Sequence, residues 1–156
     1  MYHGMSDVTI NGFSTILYYQ ALANQNGGYG KIQDQVRLFL VSGMQHCNDG
    51  PDPVFFDSLT AMENWVEKGV APNGMTASYT EDWGKKVTRT LPICQFPEQA
   101  RYGGSGDVND ARNWSCPAGD RGMLELGRNG IQAGMKDDVA RFTERFKNMP
   151  AATVKQ

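Results

Sequence analysis

Two side chains, Asp7 and His46, are of types that could carry out acid–base chemistry. The apolar run at residues 38–41 (LFLV) is typical of a buried strand, and Gly43 breaks it shortly before His46. Asp7 follows a segment that reads as a strand end and begins a polar loop. A carboxylate beside an imidazole can hold the ring in one tautomer and stabilise its protonated form. We therefore interpret Asp7 and His46 as a candidate acid–base dyad.

The residues alone leave the chemistry of this dyad open. A loop histidine without a role is an equally good interpretation, because Asp and His pairs at such separations are frequent by chance. The order Asp then His is that of the last two members of the Ser, Asp, His triad of α/β-hydrolases. No Gly-x-Ser-x-Gly sequence occurs in the chain, so the nucleophile of such a triad is not visible.

The segments around the dyad predict a β-α-β unit. Helical spacing of apolar residues extends from Asn11 to about Asn24, with Asn11 as the N-cap and residues 26–28 (NGG) as the stop. A strand follows from about Val36 to Val41. A crossover of this length joins parallel strands, whose carboxyl ends lie at the edge where α/β sheets bind ligands. The sequence therefore predicts an α/β fold with both loops at one edge.

A second amphipathic helix is predicted over residues 58–68. Asp57 is its predicted N-cap, and Gly69 is its predicted stop. We expect Trp65 to belong to the core. The apolar residues on the neighbouring face are Leu59, Met62 and Val66.

Three cysteines, Cys47, Cys94 and Cys116, are an odd number, which leaves one thiol in need of a partner elsewhere if the protein is secreted. Residues 75–80 favour a strand or an extended segment. Residues 83–116 are rich in Gly, Pro and Asp and have little periodicity. A disulfide between Cys94 and Cys116 would close a loop of roughly 20 residues and contribute about 3 kcal/mol. A metal-binding thiolate pair is the alternative, although CxxC spacing is missing.

The overall composition is that of an ordinary globular protein, with 156 residues, 40% hydrophobic and 21% charged. A net charge of -2 argues against a nucleic-acid partner, and no apolar run is long enough to span a bilayer. The N-terminus does not read as a signal peptide, and we expect the beginning of the polypeptide to be missing. Residues 118–156 form an unassigned tail, in which Val139, Phe142 and Phe146 predict a short helix.

Several motifs resemble the tannase and feruloyl esterase family. Residues 2–7 (YHGMSD) are similar to its aspartate motif YHGxxD, and residues 38–47 (LFLVSGMQHC) to its histidine motif LFxVPGMxHC. Residues 65–72 (WVEKGVAP) resemble its WVExGxAP segment, and residues 89–104 resemble its RPLCPYP and ARYxG tail. The likeness covers residues 1–117, with the motifs in family order.

The resemblance implies a secreted serine carboxylic ester hydrolase with an α/β-hydrolase core and a separate lid domain. It makes Asp7 the triad acid and His46 the general base. It also implies a Cys94–Cys116 disulfide and a bridge from Cys47 to a cysteine beside the catalytic serine, outside this chain. The implied substrate is a small aromatic ester, galloyl or feruloyl. No cofactor is implied within this chain, since the family's calcium site lies in the lid.

The chain departs from the family pattern because it lacks several of the family's segments. The serine, the oxyanion-hole segment and the lid are absent, and Ser42 replaces the usual proline before the Gly-Met pair. We therefore expect residues 1–117 to be the C-terminal part of an α/β-hydrolase domain, a partial parallel sheet with flanking helices followed by an irregular, disulfide-pinned segment. By itself this chain should be inactive, and the missing N-terminal part of the same enzyme is its expected partner.

Two other classes of function are compatible with the residues. One is an inactive remnant or binding module that keeps the same partial fold. The other is a small metalloprotein that uses His3, Asp7, His46 and Cys47, which have suitable ligand types but no compact spacing. We expect His3 to be structural and Asp49 and Asp52 to be solvated loop carboxylates.

Overall fold

The computed structural model describes residues 1–46, 49–81, 84–117 and 144. Their elements are β1 (Tyr2–Gly4), α1 (Gly12–Gln25), α2 (Tyr29–Ile32), β2 (Phe39–Val41), α3 (Ser58–Lys68), β3 (Gly74–Glu81), β4 (Lys86–Cys94), β5 (Arg101–Tyr102), a 3-10 turn (Ala111–Asn113) and β6 (Trp114–Ser115). The fold is of the α/β class, as the sequence predicts.

The predicted β-α-β unit is confirmed, because β1 and β2 pair in parallel with α1 between them. The side chain of Asn11 accepts a hydrogen bond from the amide of Phe13, so the predicted N-cap is also correct. The strand β2 is shorter than predicted. At its expected start the amide of Val36 instead bonds the carbonyl of Ile32, which continues the turn of α2.

The strand β2 lies between two apolar clusters. Leu38, just before the strand, packs with Ile16 and Tyr19 of α1, whereas Phe39 and Val41 pack against β3 and β4. Burial on both faces agrees with the uninterrupted apolar run in the sequence, which is typical of parallel strands. This strand therefore holds the segment after it, including His46, on a rigid base.

The prediction of an irregular segment over residues 83–116 is wrong where β4, β5 and β6 form, although much of the described remainder has no regular structure. The strand β4 pairs antiparallel with β3, and β5 pairs antiparallel with β6. Most of β4 is exposed or half-buried on both faces, so its sequence lacks the alternation that reveals a strand. The predicted disulfide between Cys94 and Cys116 is present and joins the end of β4 to the residue after β6.

The helix α3 has the predicted bounds and caps, but its apolar side is not core. Asp57 caps its start, and Gly69 ends it in the left-handed conformation at φ +69°. The expectation for Trp65 is wrong, since it is only half-buried and contacts the guanidinium of Arg37. Leu59, Met62 and Val66 are 68%, 51% and 75% exposed. Within the described ranges no element covers this side, which borders an open pocket of about 450 Å³.

Other expectations fall partly outside the described ranges. Residues 118–156 are not described except Glu144, so the predicted short helix and the boundary at residue 117 stay predictions. In the part of the chain that is described, no helix is long and apolar enough to cross a membrane.

Candidate active site

The loop that carries Asp7 is tied to the end of β2. The amide of Met5 donates to the carbonyl of Val41 at 2.9 Å, and the amide of Ser6 donates to the carbonyl of Met44 at 3.0 Å. After Asp7 the backbone turns so that two successive amides meet the same carboxylate oxygen. Oδ1 of Asp7 accepts from Thr9 at 2.7 Å and from Ile10 at 2.9 Å.

The loop that carries His46 brings its imidazole to the other carboxylate oxygen of Asp7. Nδ1 of His46 lies 2.8 Å from Oδ2 of Asp7. The carboxylate is nearly enclosed, with 3% of the Asp7 side chain exposed, while 52% of the His46 side chain is exposed. The structure thus places the two predicted residues together at the carboxyl ends of parallel strands, with the acid inside and the imidazole outside.

Gly4 allows these two loops to approach each other. A Cβ at this position would clash with the carbonyl oxygens of Met44 and Gln45, so only a hydrogen fits there. The next two amides of the aspartate loop, those of Met5 and Ser6, then come within hydrogen-bonding range of the carbonyls of Val41 and Met44. The glycine in YHGMSD therefore has a steric reason that sequence analysis alone did not identify.

The environment of Asp7 keeps its carboxyl group ionised. The hydrogen bond from the Ile10 amide is the largest cause, and the contacts with His46 and Thr9 add to it. Together they outweigh desolvation and lower the pKa of Asp7 from 3.8 to about 2. A pKa lowered by folding stabilises the protein fully above the unfolded value, and that contribution is lost as the pH falls towards 2. The carboxylate therefore stays charged throughout the neutral range.

The charge on Asp7 fixes the tautomer of His46. An ionised carboxylate can only accept hydrogen bonds, so Nδ1 of His46 must be the donor. In the neutral ring this leaves Nε2 with its lone pair. An imidazole in this state can take a proton at Nε2, which is the role of a general base.

His3 has a different set of contacts, in agreement with a structural role. Its ring lies 3.0 Å from the carbonyl of Ile10 through Nε2 and 2.7 Å from the hydroxyl of Thr15 through Nδ1. Because a carbonyl only accepts, Nε2 is the donor and Nδ1 accepts from Thr15 in the neutral ring. His3 thereby supports the turn that presents amides to Asp7.

We predict that the two histidines of this chain have opposite tautomers. In alkaline buffer, where histidine is neutral, long-range ¹H–¹⁵N spectra of ¹⁵N-histidine-labelled protein should show Nδ1–H for His46 and Nε2–H for His3. A His46→Ala variant assigns the signals. The same tautomer at both rings would contradict the hydrogen-bond directions inferred here.

Asp52 is not the solvated loop carboxylate that the sequence suggested. Its Oδ1 accepts a hydrogen bond from Nη1 of Arg89 at 2.8 Å, and its Oδ2 accepts one from the hydroxyl of Ser42 at 3.3 Å. Asp49 is exposed and bonds the amide of Gly50. No sequence signal links Asp52 to Arg89, because they are distant in the chain and lie in no shared motif.

Two further expectations concern cysteine and metal. Cys47 lies outside the described residues, so its bridge to a cysteine beyond this chain stays a prediction. Over the described ranges, no group of three or more His, Cys, Asp or Glu side chains is arranged to hold a metal ion.

The fold and the site define an α/β protein with a hydrogen-bonded Asp–His dyad at the ends of two parallel strands. A family model described as "Tannase and feruloyl esterase" matches residues 1–117. The chain belongs to this family, as its motifs indicate.

Curated relatives and solved structures agree with this assignment. A mono(2-hydroxyethyl) terephthalate hydrolase of Piscinibacter sakaiensis is 43% identical over 76% of this chain and 19% of the relative. A probable feruloyl esterase of Arthroderma benhamiae is 38% identical over 74% of this chain and 22% of the relative. The crystal structure of feruloyl esterase B from Aspergillus oryzae has a TM-score of 0.67 and 31% identity, over 74% of this chain and 26% of that one. The chain thus spans about a fifth to a quarter of their lengths.

Proposed function

We propose that this chain provides the acid and the base of a serine carboxylic ester hydrolase that acts on aromatic esters, such as galloyl or feruloyl esters. The observation that carries the proposal is the 2.8 Å contact between Asp7 and Nδ1 of His46. It leaves Nε2 of an exposed imidazole as a proton acceptor. The ester class is taken from the relatives, which include a probable feruloyl esterase and feruloyl esterase B.

In the proposed reaction, a serine hydroxyl attacks the ester carbonyl while His46 takes its proton at Nε2. Asp7 holds the ring in the productive tautomer and stabilises the imidazolium. The imidazolium then gives the proton to the leaving alcohol. Water, deprotonated by the same nitrogen, attacks the acyl-enzyme; the bond to serine breaks, the imidazolium returns the proton to the serine oxygen, and the acid product is released.

The proposed serine lies on a segment outside these 156 residues. Two observations support this: no Gly-x-Ser-x-Gly sequence occurs in the chain, and the relatives are four to five times as long as the matched region. The oxyanion hole and the substrate-selecting lid are proposed to lie on the same segment. The disulfide Cys94–Cys116 favours an extracellular location, because such bonds persist in oxidising compartments.

The proposal predicts that residues 1–156 alone do not hydrolyse methyl ferulate or methyl gallate. On this proposal the chain supplies the base, while the attacking hydroxyl and the oxyanion hole lie on another segment, so its rate should equal that of buffer. The longer polypeptide that contains this sequence should hydrolyse at least one of the two esters. Initial rates at several enzyme concentrations make the comparison. Hydrolysis by the purified 156-residue chain in proportion to its concentration would contradict the division of roles.

An inactive remnant or binding module with the same partial fold is the second candidate. It is not favoured, because a site freed from catalysis has no reason to retain an enclosed carboxylate with three hydrogen-bond donors around it. The rate of the longer polypeptide separates the two, since a remnant would leave methyl ferulate and methyl gallate intact.

A further inference from the structure

We propose that Arg89 of β4 and Asp52 form a positioning pair for His46. The pair would hold the loop between Ser42 and Asp52, and so fix the imidazole relative to the serine. This inference rests on the proposed function, because a positioning role has meaning only if His46 is the base. The inference goes beyond that function because it gives a role to the β3–β4 hairpin, which contributes no member of the proposed triad.

The contacts of Asp52 join both ends of the histidine loop to β4. One carboxylate oxygen accepts from Nη1 of Arg89 at 2.8 Å. The other oxygen accepts from the hydroxyl of Ser42, the first residue after β2, at 3.3 Å. The side chains of Arg89 and Asp52 are 32% and 26% exposed, so the pair is partly shielded from water. A single carboxylate therefore closes the loop and anchors it to the sheet.

The backbone near Asp52 leaves no room for a side chain at Gly43 or Gly50. Gly43 has φ +69°, and a Cβ there would lie 2.5 Å from Oδ2 and 2.7 Å from Cγ of Asp52. A Cβ on Gly50 would in turn clash with the carbonyl oxygen of Gly43. The amide of Gln45 bonds the carbonyl of Asp49 at 2.6 Å. The loop is thus drawn closed just before and after His46.

The aspartate loop makes further contacts with the histidine loop. Gly4 and Ser6 of the aspartate loop meet the backbone of Met44 and Gln45. With those contacts alone the loop could pivot, since the imidazole itself is half exposed. The Arg89–Asp52 pair supplies a second, separate attachment. Two attachments to different elements define the position of His46 better than either one.

The pair should matter more for catalysis than for stability. A partly exposed ion pair adds little to the free energy of folding. A displacement of about 1 Å in a reacting group, however, can slow catalysis roughly 100-fold. The contact uses Nη1 of Arg89 alone, and the described residues offer Nε no partner. A lysine could therefore replace this arginine, which would not hold for a bidentate pair.

The test compares Arg89→Met and Asp52→Asn in the longer polypeptide, with methyl ferulate as the substrate. Both should lower kcat about 10- to 100-fold and leave KM within about twofold. Their Tm should fall by only a few degrees, and Arg89→Lys should restore most of kcat. The double variant should be no slower than the slower single variant, because the two changes remove one contact.

Lys86→Met is the matched control. Lys86 lies on the same strand and pairs with Glu81 at 3.1 Å, but this pair is well exposed, and among the described residues no hydrogen bond or ion pair joins it to the histidine loop. Its kcat should equal that of the wild type. Wild-type kcat in Arg89→Met and Asp52→Asn, or an equal loss in Lys86→Met, would overturn the proposal. So would losses that Arg89→Lys fails to relieve.

The tautomer spectrum gives a second readout that a merely structural role would not change. In Arg89→Met, the Nδ1–H signal of His46 should exchange faster with water, because the ring is less firmly held against Asp7. An unchanged exchange rate would count against the proposal. His46→Ala in the same assay keeps the two hypotheses apart. If that variant is active, the proposed function fails; if it is inactive while Arg89→Met is fully active, only the positioning role fails.

Discussion

If the proposed function is right, replacing His46 with alanine should lower kcat for ester hydrolysis by about 10⁶-fold, close to the loss on removing the base of a serine protease. Within the described residues, the other titratable side chain paired with Asp7 is that of His3, whose Nε2 lies 3.8 Å away and bonds the carbonyl of Ile10. Nothing in the described residues could thus take the serine proton instead. The measurement is the steady-state kcat and KM on methyl ferulate, using the longer polypeptide.

The fold should survive this substitution. The side chain of His46 is half exposed and makes one hydrogen bond, so the Tm should change by only a few degrees. Gln45→Ala is the matched control, because Gln45 is an exposed neighbour whose contacts with the rest of the loop are made by its backbone. A His46→Ala enzyme within tenfold of the Gln45→Ala rate would remove His46 from the mechanism.

The dyad could be found in the sequence because its signals are local. The run 38–41 marks a strand, Gly43 marks its end, and the helix between Asn11 and Asn26 supplies the crossover. Parallel pairing then brings Asp7 and His46 to one edge without further information. The structure places the two side chains together as this reasoning expects, while their catalytic roles stay a proposal.

What escaped prediction depends on contacts between distant residues. The sequence of β4 does not alternate between apolar and polar residues, because neither face of the strand is fully buried. Its pairing with β3 depends on backbone hydrogen bonds, which leave no pattern in the sequence. The bond from Arg89 to Asp52 follows from that hairpin, so it could not be foreseen while the hairpin was read as loop. The half-burial of Trp65 is a similar case, since helical periodicity shows which side is apolar but not what covers it.

The glycines at the site also show which features can be predicted from local sequence and which cannot. Their positions in the two motifs are visible in the sequence, but the reason differs between them. Gly43 adopts a positive φ, which local sequence rules can suggest. Gly4 is needed because the carbonyls of Met44 and Gln45 pass directly over it, and this contact exists only once β1 and β2 have paired. The glycine of the aspartate motif is thus required by close contact with the histidine loop.

Replacing Asp7 with asparagine should lower kcat about 10⁴-fold while the loop keeps its shape. The amide oxygen of asparagine can still accept from the Thr9 and Ile10 amides, as Oδ1 of Asp7 does. The amide nitrogen then faces Nδ1 of His46 as a donor. It forces that nitrogen to be the acceptor, so the proton moves to Nε2, where the ring can no longer take one from serine. KM should change little, because neither group binds the substrate before the proton moves.

The same substitution should be visible in the tautomer spectrum, where His46 changes from Nδ1–H to Nε2–H. Asp57→Asn is the matched control, since Asp57 also caps backbone amides but lies at the start of α3 and has no contact with His46. It should leave both kcat and the spectrum unchanged. The pKa of Asp7 is about 2, so the wild type should lose no activity through this carboxylate above about pH 4. A slow Asp7→Asn enzyme that keeps Nδ1–H would show that Asp7 acts by its charge alone and not by setting the tautomer.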